Sequence, residues 1–84
     1  MTLLYDRLPT IDLHGEDRDT ARILINDFIN DNLRMKNKEI IIIHGYGQGI
    51  LRKTTQETLR LNKKVETYKI DNFNSGMTIV KLKI

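Results

Sequence analysis

Two histidines in this chain, His14 and His44, each stand before a glycine at the end of an apolar segment, Ile11-Asp12-Leu13 and Ile40-Ile41-Ile42-Ile43. An imidazole titrates near neutrality, so it can take and return a proton at physiological pH. Asp12 lies two positions before His14, close enough on an extended segment to orient that ring and bias its charge. Two imidazoles and a carboxylate suit phosphodiester transesterification, in which a base deprotonates a ribose 2′-hydroxyl and an acid protonates the departing 5′-oxygen. No metal is obligatory for that chemistry, and nothing in the spacing of Asp12, His14 and His44 demands one. Singly, a strand-end histidine ordinarily bonds nearby backbone and an exposed aspartate is ordinarily just solvated. The duplicated His-Gly is what points to a shared site.

The second His-Gly opens the loop His44-Gly45-Tyr46-Gly47-Gln48-Gly49. Gly45, Gly47 and Gly49 let backbone N–H groups approach an anion, and a helix start just after them adds partial positive charge. Tight turns use alternating glycines too, but a strand before and a helix after is the context expected of a phosphate loop. Arg52 and Lys53 fall in the first turn of that helix, where a cation is disfavoured unless it has an anionic partner. They are therefore phosphate-binding candidates. Tyr46 either stacks on a base or simply covers the loop. No Gly-Lys-Ser/Thr follows the glycines and the G-x-G-x-x-G spacing is absent, which excludes a Walker loop and a dinucleotide fingerprint. No cofactor is expected.

The elements that must position these residues are legible from periodicity. Pro9 drives Leu8 extended and a strand follows over Thr10–His14. Ala21, Leu24, Ile25, Phe28, Ile29 and Leu33 trace the stripe of an amphipathic helix from Asp17, a plausible N-cap, to about Lys36. Glu39–His44 is an unalternating β-branched run, the signature of a central strand buried on both faces. A helix poorer by propensity spans Ile50 to Leu61, with Ile50, Leu51, Thr55, Thr58 and Leu59 facing inward. Strands Val65–Ile70 and Met77–Ile84 then form an antiparallel hairpin around Asp71–Gly76.

The order β-α-β-α-β-β predicts an α/β chain of the α+β type, a two-layer sandwich with two helices on one face of a four-stranded mixed sheet. Residues 1–9 read as a lead-in and 10–84 as the domain. Both histidines then reach the edge beyond the strand ends, where ligands bind in open α/β sheets. Alternation turns Asp12 and His14 to the open face, together with Lys81 and Lys83, and buries Thr78, Val80, Leu82 and Ile84. His44 shares its face with Ile40 and Ile42, so the open face is expected to be partly apolar, covered by Leu3, Leu4 and Tyr5 or by a partner.

At 84 residues without cysteine, the chain has one small core and neither disulfides nor thiolate zinc sites. Its longest apolar run falls far short of the roughly 20 residues of a membrane span. A soluble, cytoplasmic protein is expected, a monomer by default. Residues 1–33 carry seven acids against three arginines, a net −4, whereas residues 34–84 carry eleven bases against four acids, a net +7. A lysine-rich surface is also ordinary in small domains, but this half is where a polyanion would be held.

At these residues the chain resembles the small MutS-related (Smr) domain family. Ile11-Asp12-Leu13-His14-Gly15 matches the family's Leu-Asp-Leu-His-Gly, and His44 to Gly49 matches its His-Gly-x-Gly-x-Gly loop, with Leu51-Arg52 as the pair that commonly follows. Gly76-Met77-Thr78-Ile79-Val80-Lys81-Leu82 matches the closing Gly-x-Thr-x-Val-x-Leu strand. The resemblance implies a fold similar to the C-terminal domain of bacterial translation initiation factor three. It also implies nucleic-acid binding and, in several members, endonuclease activity on DNA or on messenger RNA at ribosomes.

By that resemblance the first motif carries over to Asp12 and His14, and the loop to His44, Gly45, Gly47 and Gly49. Together with the reading of the residues, Asp12, His14 and His44 are the catalytic candidates, and Gly45, Gly47, Gly49, Tyr46, Arg52, Lys53 and the C-terminal lysines Lys69, Lys81 and Lys83 are the expected nucleic-acid contacts. Two departures stand out. Tyr46 occupies a loop position that is basic in some nucleases, and Asn74-Ser75-Gly76 is poorer in glycine than usual. The competing readings are a non-catalytic module that docks on nucleic acid or the ribosome, and an accessory domain of a MutS-like ATPase acting in DNA repair.

Overall fold

The register between the first two strands decides how the rest is arranged. In the computed structural model, which describes residues 8–47 and 49–84, β1 (Thr10–Asp12) runs parallel to β2 (Glu39–Ile43). Ile11 pairs with Ile42 and Asp12 with Ile43. Between these strands lies α1 (Arg18–Arg34), and after them come α2 (Ile50–Leu61), β3 (Val65–Ile70) and β4 (Met77–Leu82). The sheet order is β1-β2-β4-β3, with β4 antiparallel to both its neighbours. This is the expected β-α-β-α-β-β arrangement, a mixed four-stranded sheet with two helices. It also puts the ends of β1, β2 and β3 and the start of β4 at one edge.

Helix α1 begins where the Asp17 carboxylate accepts the Thr20 N–H at 2.7 Å, a side-chain cap for an otherwise unpaired donor. That bond also holds the Asp17 carboxyl below its ordinary pKa. The helix stops at Arg34, short of Lys36, because Lys36 adopts a left-handed φ of 60° and its N–H turns back to the Leu33 carbonyl. Ala21, Ile25 and Ile29 are buried against Leu13, Ile40, Ile42, Val80 and Leu82, and Leu59 of α2 joins the same core. Both helices therefore share one face of the sheet. Asn62 and Asn26 bond across the pair at 3.0 Å.

The structure departs from the expectations at several further points. First, β1 ends at Asp12 rather than His14: the Leu13 N–H still donates to the Ile43 carbonyl at 2.8 Å, but the Asp12 carboxylate then captures the His14 N–H and turns the chain away. Second, Ile50 is half exposed; in α2 the buried positions are Thr54, Thr55, Thr58 and Leu59. Third, the faces of β2 are exchanged. Pairing Ile11 with Ile42, and Ile40 and Ile42 with Val80 and Thr78, turns Ile40, Ile42 and His44 toward the helices. The apolar part of the other face is made instead by Ile41, Ile43 and Ile79, of which Ile41 and Ile79 are buried. Whether Leu3, Leu4 and Tyr5 cover that face lies outside the described residues. Ile84, expected inside, lies past the end of β4 and is exposed.

Candidate functional site

At the edge where β1 ends, one carboxylate oxygen organises the exposed chemistry. Asp12 Oδ1 accepts the His14 backbone N–H at 3.0 Å and lies 3.0 Å from His14 Nδ1. The backbone bond, and then the imidazole bond, hold the Asp12 carboxyl below its ordinary pKa, so it is ionised at neutral pH. An ionised carboxylate only accepts, so the contact selects the tautomer with the proton on Nδ1 and the lone pair on Nε2. The His14 side chain is 82% exposed and that of Asp12 50%, so Nε2 faces solvent. This is a preoriented proton acceptor on a surface.

His44 occupies a different environment. It is 4% exposed on the helix side of the sheet, with Nε2 2.8 Å from Thr78 Oγ1 and Nδ1 3.1 Å from the Gly45 carbonyl. A carbonyl accepts, so Nδ1 donates to Gly45 and Nε2 accepts from the Thr78 hydroxyl, whose oxygen in turn accepts from Gln56 Nε2 at 3.2 Å. Burial pushes the His44 pKa down, and the nearby Arg52 guanidinium adds to this against the Gly45 bond. The imidazole is neutral, with both nitrogens engaged. The structure thus leaves Asp12 and His14 together at the surface and sets His44 beneath the loop, rather than beside His14 on an open face. Thr78 and Gln56 were missed as site residues. Thr78 is legible as an inward residue of the last strand, but its partner comes from a residue 34 positions away.

A depressed folded-state pKa has a signed consequence. The unfolded chain takes up a proton near pH 6.5, the ordinary value for histidine, before the folded one does. The stability from neutral, buried His44 is present above that pH and is lost as the pH falls toward the folded pKa. Thermal melts from pH 7.5 to pH 5 are expected to show this decline, and His44→Gln is expected to flatten it.

The glycine loop is fastened to the β3–β4 connection. The N–H groups of His44 and Gly45 both donate to the Gly76 carbonyl at 2.9 Å, so the Gly45 amide is not free to bind a phosphate. Among the described residues, the N–H groups of Gly47 and Gly49, with φ of 32° and 83°, remain without a backbone partner, while the Gly49 carbonyl accepts the Lys53 N–H at 2.9 Å. The Tyr46 ring lies over Gly76, where a Cβ would meet Tyr46 Cε2 at 3.2 Å, and its hydroxyl donates to Asn74 Oδ1 at 2.8 Å. Tyr46 therefore covers the loop with one face while staying 62% exposed.

The basic candidates separate. Arg52 sits beside Gly49 and near His44, and makes no ion pair among the described residues. Lys53 instead lines a cleft between the helices with Arg18, Arg22 and Glu57. Lys69 is exposed on the face away from the helices, opposite Ile79. Lys81 pairs with Glu39, four positions along β2 from Ile43, about 13 Å from the site edge at about 3.3 Å per residue. Lys83 lies beyond it. The structure does not bring these last two to the site.

Comparison with known proteins decides the family, since the Smr domain family model matches residues 11–83. The chain belongs to the Smr domain family. This Smr domain is 36% identical over 78 residues to the protein named endonuclease MutS2 of Halothermothrix orenii, covering 89% of the chain and 10% of that protein. It is 39% identical over 75 residues to endonuclease MutS2 of Helicobacter pylori, covering 86% of the chain and again 10% of the relative. The chain spans about a tenth of the length of these relatives. Among solved structures, the Smr domain of Thermus thermophilus MutS2 superposes with a TM-score of 0.89 at 25% identity, covering 92% of this chain and all of that one. YdaL, a stand-alone small MutS-related protein from Escherichia coli, matches in fold with a TM-score of 0.85 at 22% identity, over 93% of this chain and 66% of that one. No helix among the described residues is long and apolar enough to cross a membrane.

Proposed function

We propose that this Smr domain binds nucleic acid and cleaves it, with RNA, including ribosome-associated RNA, as the preferred substrate. The observation that carries the reading is Asp12 Oδ1 holding both the His14 N–H and Nδ1, which presents Nε2 to solvent as a base. In the cleavage step Nε2 takes the proton of a ribose 2′-hydroxyl, the 2′-oxygen attacks phosphorus, and the bond to the 5′-oxygen breaks. Arg52 and the backbone N–H groups of Gly47 and Gly49 hold the phosphate, consistent with a helix that starts at left-handed Gly49 with no side-chain cap. His44 positions that loop, and the departing oxygen draws its proton from water. The MutS2 relatives bear the name endonuclease, which supports the reaction class.

A second reading, a module that binds without cleaving, is favoured by one feature. Tyr46 and Gly76 close over the loop where some family nucleases present a cation. Incubation of the purified chain with labelled single-stranded RNA, duplex DNA and supercoiled plasmid, with and without EDTA, separates the two. Cleavage of the RNA is expected. Binding without product on every substrate would favour the module.

A further inference from the structure

Phe73 stands at the tip of the β3–β4 hairpin with 98% of its surface exposed, flanked by the polar residues Asn72, Asn74 and Ser75. An aromatic ring buries 150–250 Å² when it finds a partner, so leaving it wholly in water forgoes a large contribution. The backbone beneath it is held firmly. Buried Asp71 accepts the N–H groups of both Phe73 and Asn74 through Oδ2, at 3.1 and 2.8 Å. Asn74 Oδ1 accepts the Gly76 N–H at 2.9 Å and the Tyr46 hydroxyl at 2.8 Å. One amide thus ties the loop bearing Phe73 to the loop bearing Tyr46, and each loop offers an exposed aromatic ring. The sequence signal was available, an aromatic residue inside an otherwise polar turn, but pattern reasoning treats such a turn only as a connection.

Sheet topology sets where this tip lies. The end of β3 and the start of β4 share the edge at which β1 delivers Asp12 and His14. Across the order β1-β2-β4-β3, at about 4.8 Å per strand, the hairpin tip is about 10–15 Å from the Asp12–His14 pair. That is within about four nucleotides even at the stacked rise of about 3.4 Å per nucleotide.

We infer that Phe73 is a stacking platform for an unpaired nucleobase a few nucleotides from the scissile phosphate, so that the substrate is single-stranded or locally unpaired. The inference rests on the nucleic-acid reading above and names its substrate class. A duplex base keeps both its faces against neighbours, so only an unpaired or unstacked base can take this ring. A lone aromatic side chain among polar ones lacks the contiguous apolar patch of a protein-docking surface, whereas a base needs only one flat face, and exposed Lys69 near the end of β3 adds positive charge to the same hairpin.

The test uses a 2′-O-methyl RNA oligonucleotide, which cannot be cleaved through its 2′-oxygen, carrying a single 2-aminopurine, and a blunt duplex of the same sequence. Wild-type chain is expected to prefer the single strand and to quench the 2-aminopurine. Phe73→Ala is expected to weaken single-strand binding about tenfold and reduce the quenching, while Phe73→Tyr restores both and duplex binding is unaltered. Exposure of the side chain means that Phe73→Ala keeps its fold, checked by circular dichroism. Equal single-strand affinity and quenching for Phe73→Ala and wild type would overturn the inference and assign Phe73 to another partner such as a protein. Absence of binding to either oligonucleotide by wild type would instead overturn the function on which it rests.

Discussion

Replacing His14 with alanine is expected to slow RNA cleavage by about 10²–10⁴-fold, the usual contribution of a positioned general base, while leaving the fold and RNA affinity nearly unchanged. The reason is geometric. The His14 side chain is 82% exposed and its polar contact is with its own neighbour Asp12, so its loss opens no cavity and frees no buried partner. Asp12 adds orientation and charge. Its carboxylate fixes the proton on Nδ1, so Asp12→Asn should allow the ring to turn and should lower the rate without matching the His14 loss. Single-turnover cleavage, with melting temperature and RNA binding measured on the same preparations, checks the division. A rate unchanged in His14→Ala would remove the proposed base.

Thr78→Val is expected to act through the opposite route, on the fold of the site. Valine keeps the shape of threonine but removes the hydroxyl that donates to His44 Nε2 and accepts from Gln56. A buried acceptor left without a partner costs about 1–3 kcal/mol, and in a domain of this size each kcal/mol lowers the melting temperature by about 4–8 °C. The His44–Gly49 loop is anchored through this histidine and through the Gly76 carbonyl, so loosening one tether should also weaken phosphate binding. Thr78→Ser, which retains the hydroxyl, should recover most of both losses. Thermal denaturation and RNA titration of the three proteins are the measurements.

The sequence carried the element order, the α1 stripe and the antiparallel hairpin, because 3.6-residue periodicity and turn composition are local signals. It could not orient β2. Four consecutive isoleucines offer no alternation, so only the pairing of Ile11 with Ile42 shows that His44 faces the helices. The Asp12–His14 pair was legible because its partners are two residues apart. The partners of His44 come from β4 and α2, and those of Tyr46 from the β3–β4 turn, contacts that no local pattern encodes. Lys81 and Lys83 carry the sign a polyanion needs but lie toward the opposite end of the sheet from Asp12 and His14, since charge along a chain says nothing about which edge a strand presents.

The division of labour at this edge, an exposed Asp12–His14 pair for chemistry and a buried His44 for support, is most directly tested by the chemical nature of the cut ends. End-group analysis of the RNA product should find a 2′,3′-cyclic phosphate on one fragment and a 5′-hydroxyl on the other, as deprotonation of the 2′-hydroxyl by His14 requires. Fragments ending in a 5′-phosphate, or efficient cutting of RNA carrying a 2′-deoxy sugar at the cleavage position, would contradict it.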